Sequence, residues 1–234
     1  MSGGMGTTLS LELFTPRSDQ GIDDLLSVNG CMAQYAALGP SLVSISGPLA
    51  AGTMRILEHV RRHHCIRVQL QISRPEATEE GVRSLLDEAL GHGIRDVLIL
   101  GSSVAHPQRA ACEFGSTCQL LQFIKGQYAD RVRVAVCGYP RGARGELGDH
   151  AADLVELGRQ AQAGADQVIC LPCFDAQAHS EYVAAARKAG VRCPIVPGAL
   201  HISNVAEFRR ICRALCVEPP AWLEAQLREA TSKG

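Results

Sequence analysis

The 234-residue chain balances 23 Lys and Arg against 24 Asp and Glu, so it offers neither a basic field for nucleic acid nor an acidic solvating tail. Its hydrophobic content of 46% suits a globular protein with a substantial core, and no apolar run reaches the ~18 residues of a membrane span. The opening stretch "MSGGMGTTLSLELF" has no basic n-region and no Arg-rich amphipathic helix, which reads as an intracellular, cytoplasmic protein, with a mitochondrial place inside a complex as the alternative.

Apolar β-rich runs alternate with helical patterns from end to end. "LSLELF" (9–14) precedes a helical 23–38, "SLVSIS" (41–46) precedes 53–64, and "IRVQLQIS" (66–73) precedes 78–93. "DVLILG" (96–101) leads through a longer loop to 117–129, and "RVRVAVCGYP" (131–140) leads to 150–164. "QVICLPCF" (167–174) leads to 180–190, and "CPIVPGAL" (193–200) to 204–216. Gly93, Gly164 and Gly190 stand where helices need a left-handed terminal residue, and Thr78 with Glu79 and Glu80 supplies a cap and an acidic first turn.

This rhythm predicts right-handed βαβ units and a parallel sheet. With no G-x-G-x-x-G after the first strand, a TIM-type (β/α) barrel fits better than a doubly wound sheet. The units number seven, within one domain spanning 1–234. The remaining 217–234 reads as a helix from Pro220 to Leu227 with no strand pattern. A closed barrel needs an eighth strand, so the edges of the first and seventh strands are expected to lack one. A protein partner covering that seam, within a multisubunit complex, is the expected solution, with the C-terminal helix as its rival.

The ten cysteines lie in apolar segments such as those around Cys31, Cys65, Cys137, Cys193 and Cys212, which reads as reduced thiols acting as small hydrophobes. Cys170 and Cys173 form a C-x-x-C pair, open to a redox, zinc or buried-thiol reading. Positions i and i+3 on a strand face opposite ways, so shared chemistry requires a turn at Pro172. Cys212 and Cys216 could complete a zinc set from one helix, but buried thiols and no metal are the preferred reading. "RRHHC" (61–65) reads as a solvated helix end.

Several segments together resemble the methylenetetrahydrofolate reductases. "LELFTP" is similar to that family's Glu-Phe-Phe-Pro-Pro signature, "VAVCGYPRG" to its Gly-Tyr-Pro-Lys-Gly segment, and "HAADLVELGRQAQAGADQVICLPCFDAQ" to its Ala-Asp-Leu to Phe-Phe-Phe-Asp run. "RCPIVPGALHISN" and "PPAW" resemble the end of its seventh unit. The resemblance implies a flavin-containing barrel in which FAD relays hydride from NAD(P)H to methylenetetrahydrofolate. It places Glu12 as the acid that opens the folate ring, and Tyr139 and Asp153 at flavin-contacting positions.

Other positions depart from the pattern. The resemblance puts Ser103 where the family has an aspartate near flavin and folate, Gly101 for the arginine of the same loop, and Leu171 for the glutamine that holds the pterin. Gln71 stands for a histidine, Gln160 for a lysine, and Ala143 to Gly145 for His-Pro-Glu. The expectation is a degenerate barrel serving as a structural or regulatory subunit, with FAD lost or weakly held. The alternative is an active FAD-dependent reductase in one-carbon metabolism.

Overall fold

The computed structural model describes residues 8–16, 18–27, 30–46, 51–101, 112–140, 149–200, 202, 204–214, 217 and 219–232. In chain order the elements are β1 Ser10–Phe14, α1 Asp19–Leu26, α2 Cys31–Ala37, β2 Leu42–Ser46, α3 Ala51–His64, β3 Arg67–Ser73, α4 Glu79–Gly91 and β4 Asp96–Leu100. There follow α5 Thr117–Tyr128, β5 Arg133–Gly138, α6 His150–Gln162, β6 Gln167–Pro172, α7 Ala176–Lys188, β7 Ile195–Gly198, α8 Val205–Ala214 and α9 Ala221–Ser232. Short 3-10 turns, Arg74–Glu76 and Ala129–Arg131, follow β3 and α5.

The sheet runs β1-β2-β3-β4-β5-β6-β7, its order following the chain. The pairs β1–β2, β2–β3, β5–β6 and β6–β7 are parallel. This is an incomplete TIM-type (β/α) barrel of seven βα units. Among the described residues, β1 and β7 end the sheet order. Strand-like backbone after α8 is limited there to one bridge residue, Val217, whose amide donates to the Cys212 carbonyl at 2.9 Å.

Contacts group the chain into two compact units. One holds β1 to β3, most of β4, α1 to α4 and Arg131–Arg133; the other holds the end of β4 and the elements from α5 onward. Within the first, Val43, Ile45, Val68, Leu70 and Ile72 alternate with polar neighbours, and none is more than 3% exposed. Ile56, Leu57 and Val60 of α3 are at 0%, the apolar stripe that a core-facing helix needs. Within the second, Val134, Val136 and Val168 join Leu120, Leu121 and Ile124 of α5, all at 0%.

Local signals set the helix ends. Ser18, Ser116, Asp149 and Asp175 cap α1, α5, α6 and α7, each side chain accepting an amide two or three residues ahead. Gly93, Gly164 and Gly190 take φ of 73°, 101° and 97°, the left-handed stop expected of them. The expected helix at 23–38 is instead two. Ser27 turns extended, donates its hydroxyl to the Asp24 carbonyl and accepts the Gly30 amide, so α1 ends there and α2 starts anew. The seventh strand is shorter than expected, 195–198 in place of 193–200, while the tail helix is longer and runs to Ser232.

At β6 the ladder to β7 shifts register between Ile169 and Pro172, where proline has no N–H to give. Gly198 sits against this irregularity. A Cβ there would lie 2.3 Å from the Cys170 carbonyl oxygen.

Candidate functional site

The first unit carries a polar cluster on one face of its strands. In register, Glu12 of β1 pairs with Ser44 of β2, which pairs with Gln69 of β3. Side chains two apart on a strand share a face, so Gln71 stands on this face too. Its Nε2 donates to Glu12 Oε1 at 3.0 Å and to Ser44 Oγ at 3.0 Å. Gln71 and Gln69 are each 3% exposed, whereas Glu12 is exposed. The carboxylate thus reaches solvent while a buried amide holds it from below. Gln71, expected only as the loss of a histidine, is the residue that fixes Glu12.

At the N-terminal ends of β3, β4 and β5 lies an ion-pair network. Asp96 receives Arg133 Nε at 2.7 Å and Nη2 at 2.8 Å, and Arg67 Nη2 at 2.7 Å. Burial alone would raise the Asp96 carboxyl, but hydrogen bonds from Arg133 and Arg67 outweigh it and hold it below the ordinary value. The end of a barrel opposite the site is where stability is built, and this network belongs there.

In the second unit one strand face is largely apolar toward its C-terminal end. Cys137 of β5 pairs with Ile169 of β6, and Leu171 follows two residues on. These half-buried residues offer hydrocarbon and thiol surface, with the half-buried amide of Gln167 two residues before Ile169 on the same face. Leu171 is a half-buried residue on this face of β6. Cys170 points the other way, buried against Gly138 and Tyr182, and its thiol is pushed up to about 12, first by burial and then by Cys173. Cys173 instead turns its sulfur to the Asp175 carbonyl at 3.3 Å. The two thiols serve different surroundings, as a strand requires.

Tyr139 and Asp153 fall in one neighbourhood, joined by a residue that the sequence did not single out. The Tyr139 amide donates to the Tyr182 hydroxyl at 3.2 Å. Burial drives the Tyr182 phenol far upward, with the charge of Asp153 among the lesser contributors. His150 stacks near Tyr182 with centroids 6.1 Å apart. Asp153 lies in the first turn of α6, and Gln160 is buried seven residues later on the same face. Only a tyrosine in the helix after β6 could have signalled Tyr182 in advance, and that is weak. Gly101 follows β4, while Ser103, Ala143 to Gly145 and Cys216 lie outside the described residues.

His59, His63 and His64 cluster on the last turns of α3, with ring centroids 4.4 and 5.8 Å from His59. Burial first, then the two neighbouring imidazoles and Arg55, lower the His59 value. Among the described residues no group of three His, Cys, Asp or Glu is arranged to hold a metal ion, and no helix is long and apolar enough to cross a membrane.

A sequence model of methylenetetrahydrofolate reductase matches residues 4–233. The chain belongs to the methylenetetrahydrofolate reductase family. It is 28% identical over 242 residues to methylenetetrahydrofolate reductase (NADH) 1 of Zea mays, covering 97% of this chain and 40% of the maize protein. It is 24% identical over 219 residues to 5,10-methylenetetrahydrofolate reductase of Escherichia coli, covering 92% of this chain and 71% of that one. The chain thus spans about 40% of the length of the plant reductases it matches. Among solved structures it is similar to an uncharacterized protein from Clostridium thermocellum that binds two copies of 5-methyl-5,6,7,8-tetrahydrofolic acid, with TM-score 0.67 and 10% identity over 95% of this chain and 75% of that one. At that identity the likeness speaks for the fold alone.

Proposed function

We propose that this member of the reductase family is a catalytically degenerate barrel, acting as a structural or regulatory subunit of a larger assembly. The observation that carries the reading is the apolar C-terminal part of a strand face in the second unit, Cys137, Ile169 and Leu171, beyond the amide of Gln167. A pterin or an isoalloxazine presents a polar edge of N–H and C=O groups, and burying it against hydrocarbon leaves those groups unpaired at roughly 1 to 3 kcal/mol each. The described strand residues do not fit the FAD that the family implies, so no hydride step is routed through it here. The relatives named as NADH-dependent reductases supply the ancestry of the site.

The assembly part of the reading rests on β1. It pairs with β2 and exposes Phe14 at 70%, with Leu9 just before it at 44%. An end strand with apolar side chains in water is a template for further pairing, and a protein partner along the edges of β1 and β7 would cover it.

A second reading, an active FAD-dependent reductase supplying one-carbon metabolism, is favoured by Glu12. The Gln71 amide holds this carboxylate in one position, which is what a proton donor to a folate ring would need. Purified protein decides between the two. A colourless preparation that takes up no stoichiometric FAD on titration and does not oxidise NADH with methylenetetrahydrofolate supports the degenerate barrel. A yellow protein with turnover that Glu12→Gln abolishes would replace it by the reductase.

A further inference from the structure

The last two turns of α3 bring together three imidazoles, His59, His63 and His64, in the helix layer rather than on the strand faces. His59 and His63 stand four residues apart, so their side chains are neighbours on the helix surface. Their ring centroids are 4.4 Å apart and the ring planes tilt by 36°. Two imidazoles that hold one ion through nitrogens at about 2.1 Å bring their ring centres to roughly 4.5 to 5.3 Å, for right-angled to tetrahedral geometry. His59 and His63 stand close to that spacing, whereas His64, 5.8 Å from His59, lies beyond it. His59 is half-buried and His63 exposed, so an ion can enter from solvent. Arg55, one turn before His59, pairs with Asp23, and Arg62 pairs with Glu58, which tempers the positive charge around the two rings. His63 also falls in the last turn of the helix, where the dipole favours a cation.

We infer that His59 and His63 form a two-imidazole chelate for a divalent transition-metal ion, Cu²⁺, Ni²⁺ or Zn²⁺. Imidazole nitrogen suits these ions, while Mg²⁺ and Ca²⁺ require oxygen ligands that the pair lacks. Among the described residues no third His, Cys, Asp or Glu completes a metal-holding set, so water fills the remaining positions. Such an ion bridges two successive turns and fastens the end of α3, the helix that leads into β3. The two rings meet only in the folded helix, so the ion stabilises that state by mass action. The inference stands apart from the reading above, since it uses neither Glu12 nor the flavin-related positions.

The test is a titration of the full, untagged chain with NiCl₂, read by calorimetry and by the thermal midpoint. Ni²⁺ is the probe because it takes imidazole ligands without the thiol oxidation that Cu²⁺ brings. MgCl₂ at the same ionic strength is the control. One saturable Ni²⁺ per chain and a midpoint that climbs with its concentration are expected, with no response to Mg²⁺. His59→Ala and His63→Ala should each weaken binding at least tenfold and cancel the rise. His63 is exposed, so its variant tests the chelate even where His59→Ala fails to fold. His64→Ala and Cys65→Ser should leave the affinity within twofold. Absence of saturable binding, or affinity unchanged in His63→Ala, would overturn the inference. A tenfold loss in His64→Ala or Cys65→Ser would overturn it too, by moving the ion to another donor.

Discussion

Arg133 grips Asp96 with two parallel hydrogen bonds, Nε to Oδ1 at 2.7 Å and Nη2 to Oδ2 at 2.8 Å. Such a fork is the geometry that makes an Arg–carboxylate pair strong. Yet the Arg67 and Arg133 side chains are 56% and 53% exposed, so water screens much of the attraction. Asp96→Asn is therefore expected to destabilise the fold by about 1 to 2 kcal/mol, read as a lower urea midpoint at unchanged slope.

The same pair fixes a pH dependence. The folded Asp96 value lies below the ordinary one, so the unfolded chain binds the proton more readily. This contribution is complete above the unfolded value of about 4 and is lost as pH falls through the folded value. Asp96→Asn should flatten that part of the acid unfolding curve. A variant curve parallel to wild type across this range would show that other carboxylates carry it.

Gly138 marks the tightest packing beside β6. A Cβ there would lie 2.7 Å from the Tyr182 hydroxyl, 2.8 Å from Val168 and 3.0 Å from the Cys170 sulfur. Gly138→Ala should cost about 1 to 3 kcal/mol through overpacking. Adding Tyr182→Phe removes the closest atom, so the double variant should recover part of the loss in a thermal melt. Strict additivity would mean that the hydroxyl is not what resists the methyl.

Thiol reactivity should separate the C-x-x-C pair. Burial holds Cys170 at about 12, and the thiolate is the reactive species. Iodoacetamide at neutral pH is expected to label exposed Cys65 and half-buried Cys173, sparing Cys170 until the chain unfolds. Mass spectrometry of native protein with Cys170 labelled at the rate of Cys173 would contradict this, as would one zinc per chain that Cys170→Ser removes.

The β1 edge gives a prediction about partners. In isolated protein, alternate amides of residues 10–14 have no strand on their outer side among the described elements. They should exchange rapidly with deuterated solvent, and the chain should self-associate. A monomer in which all of these amides are strongly protected would remove the case for a covering partner.

The strand and helix rhythm was legible because it is local: period-two apolar runs, an acidic first turn such as Glu79 and Glu80, and glycines at helix stops each act over a few residues. The split at Ser27 was not, since it depends on which carbonyl one hydroxyl reaches. Glu12 and Leu171 fall on strands, β1 and β6, that the apolar runs marked out. The roles of Gln71, 59 residues from Glu12, and of Tyr182, 43 residues from Tyr139, exist only once distant strands and helices meet. Arg67, Asp96 and Arg133, 29 and 37 residues apart, come together for the same reason. A glutamine in a histidine's place reads as a loss in sequence and as a clamp in three dimensions.

Gly198 has a bearing on the history of the chain. The Cys170 carbonyl and the Pro172 nitrogen occupy the space where any side chain at position 198 would begin. Drift at this site is closed off unless the neighbouring strand moves first, so substitution there and repair of the Pro172 irregularity must arise together. Homologues sorted by these two positions should fall into a glycine–proline class and a class that has neither, with intermediates scarce. The pair is then a lineage marker that separates descent of this sheet edge from convergence on a similar length.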